Sequence, residues 1–318
     1  MKPQLSALPD MYPVNKKSVK SKLIHSWQLY LLILLPIIYL FIFNYYPMLG
    51  VQIAFKKYSV RGGIWGSPWV GLDHFIRFFR SYNFWRIVGN TVHISLYGLI
   101  AGFPFPIMLA LGLNYVTNRR FKKVAQMIYY APHFLSTVVV VGMIFQLLGK
   151  HSGIVNQFIR LLGGESIDFM AEPALFSSIY VWSGIWQHIG FSSIIYLAVL
   201  SGIDQEQHEA AIVDGANKIQ RMWHIDIPGL MPTATILLIL STGGILSVGF
   251  EKVFLMQNDL NLSASEVIAT YVYRVGLMSS YTDYSYASAI GLIQSLIGVL
   301  LLLIVNQFAN KLGRTSLW

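Results

Sequence analysis

The chain has no cysteine, which excludes disulfide frameworks, Cys-ligated zinc and thiol catalysis and leaves redox chemistry silent about its compartment. Charge is nearly as scarce. Asp, Glu, Lys and Arg make up 12% of the residues, where a soluble domain carries about 25%. Catalytic motifs are missing as well: there is no H-E-x-x-H, no G-x-S-x-G and no G-x-x-x-x-G-K-S/T phosphate loop. What abounds is apolar residues, at 55% of the chain with a mean hydropathy of +0.55. That composition overrides the length, which at about 150 residues per domain would suggest two soluble domains. Most of the chain is expected in lipid. The 23 Lys and Arg against 14 Asp and Glu, a net +9, point on so apolar a chain to a membrane face and not to nucleic acid.

A transmembrane helix needs about 20 mostly apolar residues. Six stretches qualify: 26–46, stopped by Pro47; 87–113, interrupted by Pro104 and Pro106; 126–148; 174–202; 230–250; and 284–308. The first is too long for a cleaved signal peptide, and it ends in bulky Phe43, Tyr45 and Tyr46. The expected architecture is an all-α integral membrane protein with six transmembrane helices at 26–310. Flanking it are a polar tail at 1–25, expected to be mobile, and a short tail at 311–318.

Orientation follows from the basic residues. With the N-terminus inside, the inner segments hold thirteen bases, among them Lys16, Lys17, Arg119, Arg120, Lys122 and Lys123, against six acids, a net +7. The outer segments keep ten bases and eight acids, a net +2. Both termini are therefore expected in the cytoplasm, with an outer loop at 47–86 and a cytoplasmic loop at 203–231.

The spans themselves are almost free of ionisable groups. His93, His133 and His188 are the exceptions, with Glu251 and Asp283 near span ends. Each histidine reads first as a ring hydrogen-bonded within the helix bundle. An ion-coupled carrier usually keeps titratable or oxygen-rich groups near the midplane, because a charge there is costly and is retained for function. That disfavours the alternative of an ion-coupled secondary carrier or channel for a polar solute. A membrane-embedded enzyme is disfavoured by the missing catalytic constellations. Uphill transport would then draw its energy from another subunit.

The stretch from Asp204 to Pro232 is the most informative. Asp204 is placed to N-cap a short helix whose first turn carries Glu206. Ala210, Ala211 and Val213 give that helix a small apolar flank, and Gly215 breaks it. A second short helix is expected with Ile219, Met222 and Trp223 on one side, ended by Pro228 and Pro232, which start the fifth span. On physics alone this is either a rigid knob or an ordinary amphipathic interfacial loop.

Sequence resemblance separates the two. Glu209-Ala210-Ala211, Asp214-Gly215-Ala216 and Ile225-Asp226-Ile227-Pro228 resemble the EAA loop of ABC importer permeases, with Ile227 where leucine is usual. The resemblance implies a type I permease fold in which Glu209, Ala210, Ala211, Asp214, Gly215, Ala216, Ile225 and Pro228 couple to an ATP-binding subunit. Gly71-Leu72-Asp73-His74-Phe75, Phe84-Trp85, Asn90-Thr91, Pro132, Gly153-Ile154-Val155-Asn156, Ile185 to Phe191 and Phe250 to Met256 are similar to carbohydrate-uptake permeases of the maltose-transporter type. Those permeases often follow the last segment with T-x-G-G-P; here Gln257-Asn258-Asp259 stands instead. The run from Glu266 to Leu277 is similar to permeases that import larger oligosaccharides, alginate fragments among them. The resemblance implies a multi-pass subunit of the bacterial cytoplasmic membrane. Its partners would be a second, homologous permease, two ATP-binding subunits holding ATP and magnesium, and an extracytoplasmic solute-binding protein. This chain itself would bind no cofactor or metal and would perform no covalent chemistry.

A polar sugar needs hydrogen-bonding groups and aromatic faces along its path. The candidates are Trp182, Trp186 and Gln187 on the fourth span, Ser241, Thr242 and Ser247 on or near the fifth, and Tyr284 and Gln294 on the sixth. Glu251, with Lys252, is expected to line the outer vestibule or to meet the binding protein. Gly243, Gly244 and Gly249 reduce bulk there and also suit close helix packing. In the outer loop, Asp73 is placed to cap a helix bearing Phe75, Phe78, Phe79 and Tyr82 on one face, as an interfacial helix or a sugar-stacking platform.

Overall fold

The computed structural model describes residues 27–311. The expected tail at 1–25 and all of the expected tail at 311–318 except Lys311 lie outside the described residues. Those that are described are almost wholly helical, with one isolated antiparallel bridge between Lys56 and Trp69. The chain divides into two units, residues 1–52 and 53–318.

In the first unit, helix α1 (Trp27–Leu40) runs into a π turn, Phe41–Tyr45, and then a helical turn, Tyr46–Met48. Pro47 therefore does not stop the span, contrary to expectation. A proline lacks the N–H for the bond one turn back and pushes against that carbonyl. The wider π turn just before Pro47 relaxes both constraints.

In the second unit, α2 (Asp73–Phe79) precedes α3 (Phe84–Gly102) and α4 (Pro104–Asn114), which together form one span interrupted at Phe103. Next come α5 (Arg119–Tyr130) and α6 (Thr137–Leu148). The expected straight third span is in fact two helices bent by 100°. Pro132 lies in a tight 3-10 turn, Ala131–Phe134, and Leu135 and Ser136 then adopt extended backbone. The Ser136 hydroxyl accepts from the Val139 N–H and caps α6 as a fresh start.

Helix α7 (Pro173–Ser201) is the fourth span and packs most extensively against α4. Helix α8 (Gln205–Val213) follows, then α9 (Lys218–Arg221), which passes through a π turn, Met222–Asp226, into α10 (Ile227–Gly243). The second loop helix and the fifth span are thus one continuous rod, not two elements divided by Pro228 and Pro232. A π turn again precedes the proline. The span also ends at Gly243, seven residues before the expected Phe250, because residues 244–249 leave the helix before α11 (Phe250–Met256). A Cβ at Gly243 would lie 2.7 Å from a Leu302 methyl, so this glycine lets α10 and the last span approach closely. Helices α12 (Ile268–Tyr273) and α13 (Tyr284–Lys311) complete the unit.

Among the described residues, five helices are long and apolar enough to cross a membrane, and six if the bent pair counts as one span. Three clusters of buried side chains hold the second unit together. One gathers Ile94, Val140, Ile144, Phe176, Val253 and Met256; another gathers Phe78, Ile87, Ile268, Tyr271, Tyr286 and Ile290. A third, of Ala110, Leu111, Tyr196, Leu200, Leu230 and Ala234, lies where α4, α7 and α10 meet. Phe78 belongs to the second core while Phe79 and Tyr82 are exposed, so the α2 aromatics do not share one face as expected. Asp73 sits in the first turn but makes no side-chain cap.

Candidate coupling loop and transport cavities

The loop after α7 is pinned at every turn. The Asp204 carboxylate accepts from the Glu206 N–H at 3.0 Å and caps α8. At the other end Gly215 takes φ +82°, with its N–H bonded to the Ile212 carbonyl and the Ala216 N–H bonded to the Ala211 carbonyl at 2.8 Å. This is a Schellman closure, which requires left-handed backbone at the glycine. Asn217 and Gln220 then exchange bonds in a capping box that starts α9.

A buried polar joint ties α8 to the spans beneath it. Asp226, fully buried in the π turn, accepts a 2.6 Å hydrogen bond from the Tyr115 hydroxyl at the end of α4. The buried His208 Nε2, the inward side of α8, lies 3.3 Å from the other Asp226 oxygen. Burial first, and then the bond to Asp226, push the Tyr115 phenol up to about 12, so the hydroxyl stays protonated and donating. The Arg221 guanidinium stands 6.0 Å over the Tyr115 ring. Side chains from the end of α4 and from α8 converge on the carboxylate of the π turn, beside the apolar cluster that also holds Met222 and Ile227.

The outward side of the loop is unpartnered. Glu209, Ala210, Asp214 and Pro228 are exposed, whereas Ala211, Ala216 and Ile225 are half-buried. Apolar side chains stand out beside them: Val213 is 87% exposed, Ile219 65% and Trp223 62%. A rigid element with an apolar, alanine-flanked outer face is suited to insertion into a groove.

The path candidates separate into groups. Ser241 and Ser247 line one cavity of about 230 Å³ with Ile94 and Gly98. Tyr284 and Gln294 line another of about 520 Å³, and the Gln294 amide donates to the Leu246 carbonyl at 2.8 Å. The Thr242 hydroxyl bonds back to the Ile239 carbonyl. Trp182 donates to the Tyr97 hydroxyl at 2.9 Å and meets Phe105 edge to face; like Trp186, it is about half exposed. Gln187 is buried and donates to the Leu135 carbonyl, fastening α7 to the break in the third span. Glu251 is exposed in the first turn of α11.

In the loop between the first two spans Lys56 is buried. It donates to the Ile64 carbonyl at 2.8 Å, with Trp69 and Trp65 at 4.7 Å and 5.8 Å, which gives those two indoles a structural role. The sequence names Asp226, His188 and Lys252 separately but does not show the two groups into which the fold gathers them. Tyr115, His208 and Asp226 are far apart in the chain, although the dyad of a histidine and an aspartate inside the loop was visible. Tyr180 and His188 join Lys252 around a cavity of about 270 Å³, signalled beforehand by a histidine within a span and a lysine in an apolar run.

Apolar spans around cavities, with a pinned loop at one end, define a multi-pass membrane transport subunit. The chain belongs to the family described as binding-protein-dependent transport system inner membrane component, matched over residues 102–314. It is a permease subunit of an ABC transport system of that kind. It is 42% identical to Protein LplB of Bacillus subtilis (strain 168) over 290 residues, covering 91% of each chain. It is 41% identical to the polygalacturonan/rhamnogalacturonan transport system permease protein YteP of the same organism, over 96% of this chain and 94% of that one. Its fold matches a chain in the crystal structure of a bacterial alginate ABC transporter in complex with alginate pentasaccharide-bound periplasmic protein. That match has a TM-score of 0.86 at 36% identity and covers 94% of this chain and 99% of the other.

Proposed function

We propose that this chain is the membrane-spanning subunit of an ATP-driven importer that takes up oligosaccharides by alternating access. It pairs with a second, homologous permease, two ATP-binding subunits and an extracytoplasmic solute-binding protein, in the bacterial cytoplasmic membrane with both termini inside. ATP and magnesium belong to the partner ATPase. Closure of the ATPase dimer draws on the knob from Glu209 to Pro228, and the knob moves α4 and α10 through Asp226. The cavities then open outward, sugar passes from the binding protein, and hydrolysis resets the state.

The observation that carries this reading is the loop: capped at Asp204, closed at Gly215, boxed at Asn217 and rooted on Asp226, yet apolar and exposed on its outer face. The substrate class is supported by the relatives' own substrates, polygalacturonan and alginate fragments.

The test uses the assembled transporter in proteoliposomes. Glu209→Arg reverses the exposed charge, and Gly215→Pro forbids the φ of +82°. Each is expected to leave the chain inserted and assembled while uptake falls and ATP hydrolysis no longer follows it. Wild-type uptake in both variants would remove the coupling assignment.

A further inference from the structure

Lys252 stands out because its surroundings do not account for its charge. It lies on α11, is 9% exposed, and belongs to none of the four ion pairs among the described residues. The ammonium donates to the Tyr180 carbonyl at 3.0 Å and stands 4.9 Å from the Tyr180 ring. The Tyr180 hydroxyl in turn accepts from the Gly249 N–H at 3.1 Å, which fixes the start of α11 against α7. One carbonyl and one ring face are poor compensation for a buried cation, which is normally paired or changes its protonation. A charge held in the apolar part of a membrane protein marks, by default, a functional site.

The ammonium faces a cavity of about 270 Å³ between α7 and the kink where α3 meets α4. The cavity wall is stripped of side chains at Gly98, Gly102 and Gly184. At Gly184 an added Cβ would lie 3.4 Å from the Lys252 nitrogen, so the glycine keeps the approach to the ammonium clear. His188 and Ser192 supply further hydrogen-bonding groups on the same wall, and His188 is oriented by His133 at 3.1 Å between their Nδ1 atoms. The neighbouring acid, Glu251, is exposed and forms no ion pair with Lys252. The cavity has Gly98, Gly102, Pro106 and Ser192 in common with a larger one of about 610 Å³, which offers room for adjoining sugar rings.

We propose that Lys252, with His188 and Ser192, forms an anion subsite that takes the carboxylate of an acidic sugar residue, so the oligosaccharide moved is a uronate polymer fragment. This rests on the reading of the chain as an oligosaccharide permease, but its test reads binding and needs no transport. A carboxylate supplies the charge that the fold withholds from Lys252. The bare glycine walls let a ring edge approach it, and the hydroxyls of that ring meet Ser192 and His188.

The experiment is equilibrium binding of labelled tri-galacturonate and of its fully methyl-esterified form to the assembled transporter without ATP. The wild type is expected to bind the acid at least tenfold more tightly than the ester. Lys252→Gln should weaken the acid by about tenfold or more and leave the ester unchanged, while Lys252→Arg keeps most of the preference. Gln removes the charge but keeps a polar side chain, and a merely structural role predicts equal loss for both ligands, a result that overturns the proposal. Equal wild-type binding of the two forms, or no binding of the acid, overturns it as well. Uptake without the ATPase would instead undo the importer reading and leave this preference intact.

Discussion

Tyr115→Phe isolates the joint beneath the candidate coupling loop, because it deletes one hydroxyl and keeps the ring under Arg221. The lost bond is a 2.6 Å contact to a fully buried carboxylate. Hydrogen bonds to charged groups contribute about 1.5–3 kcal/mol. Asp226 then keeps only His208, at 3.3 Å. Since about 1.4 kcal/mol is a factor of ten in an equilibrium constant, detachment of α8 from the spans should become roughly ten- to a hundredfold more frequent. Local opening of this kind is read by amide hydrogen exchange. In the assembled transporter, amides of residues 205–213 should exchange faster by that factor, while those in the middle of α7 stay as in the wild type. Asp226→Asn should act in the same direction by removing the charge that both partners address. If neither variant changes exchange in 205–213, the polar joint does not hold the loop and the reasoning fails.

Glu266 is buried between Arg86 and Arg274, accepting from Arg86 at 2.7 Å. Because the two arginines are 37% and 47% exposed, solvent screening trims the usual cost of breaking a buried pair, and Glu266→Gln should destabilise by about 1–2 kcal/mol. A lower melting temperature of the purified chain in detergent is the expected reading. Gly190→Ala should disrupt packing far more, since its Cβ would lie 2.0 Å from the Tyr129 carbonyl oxygen, while Gly291→Ala, with open space around it, should melt like the wild type. Gly215→Ala should cost about 1–2 kcal/mol for left-handed backbone and raise exchange in 205–213, with Gly215→Asn milder.

The apolar runs carried most of the architecture, because lipid demands long apolar helices and leaves few other arrangements. Prolines misled in three places, for two reasons. At Pro47 and Pro228 a π turn absorbs the missing donor, and that turn is set by the surrounding packing and leaves no composition signal. At Pro132 the chain does break, but only because Ser136 is ready to cap a new helix. The loop's caps were legible since Asp204 and Gly215 act on neighbours in sequence. The Tyr115–Asp226–His208 joint, the inward turn of Phe78 and the burial of Lys252 depend on contacts distant in sequence, which periodicity cannot encode.

On the proposed reading, this chain moves oligosaccharide only under ATP-driven coupling. Proteoliposomes holding the chain and its permease partner, with the binding protein and labelled oligosaccharide outside, test it when prepared with and without the ATP-binding subunits and internal ATP. Accumulation should require both the ATPase and ATP and should be absent when either is withheld. Accumulation by the permease pair alone, driven by an imposed ion gradient, would contradict the account.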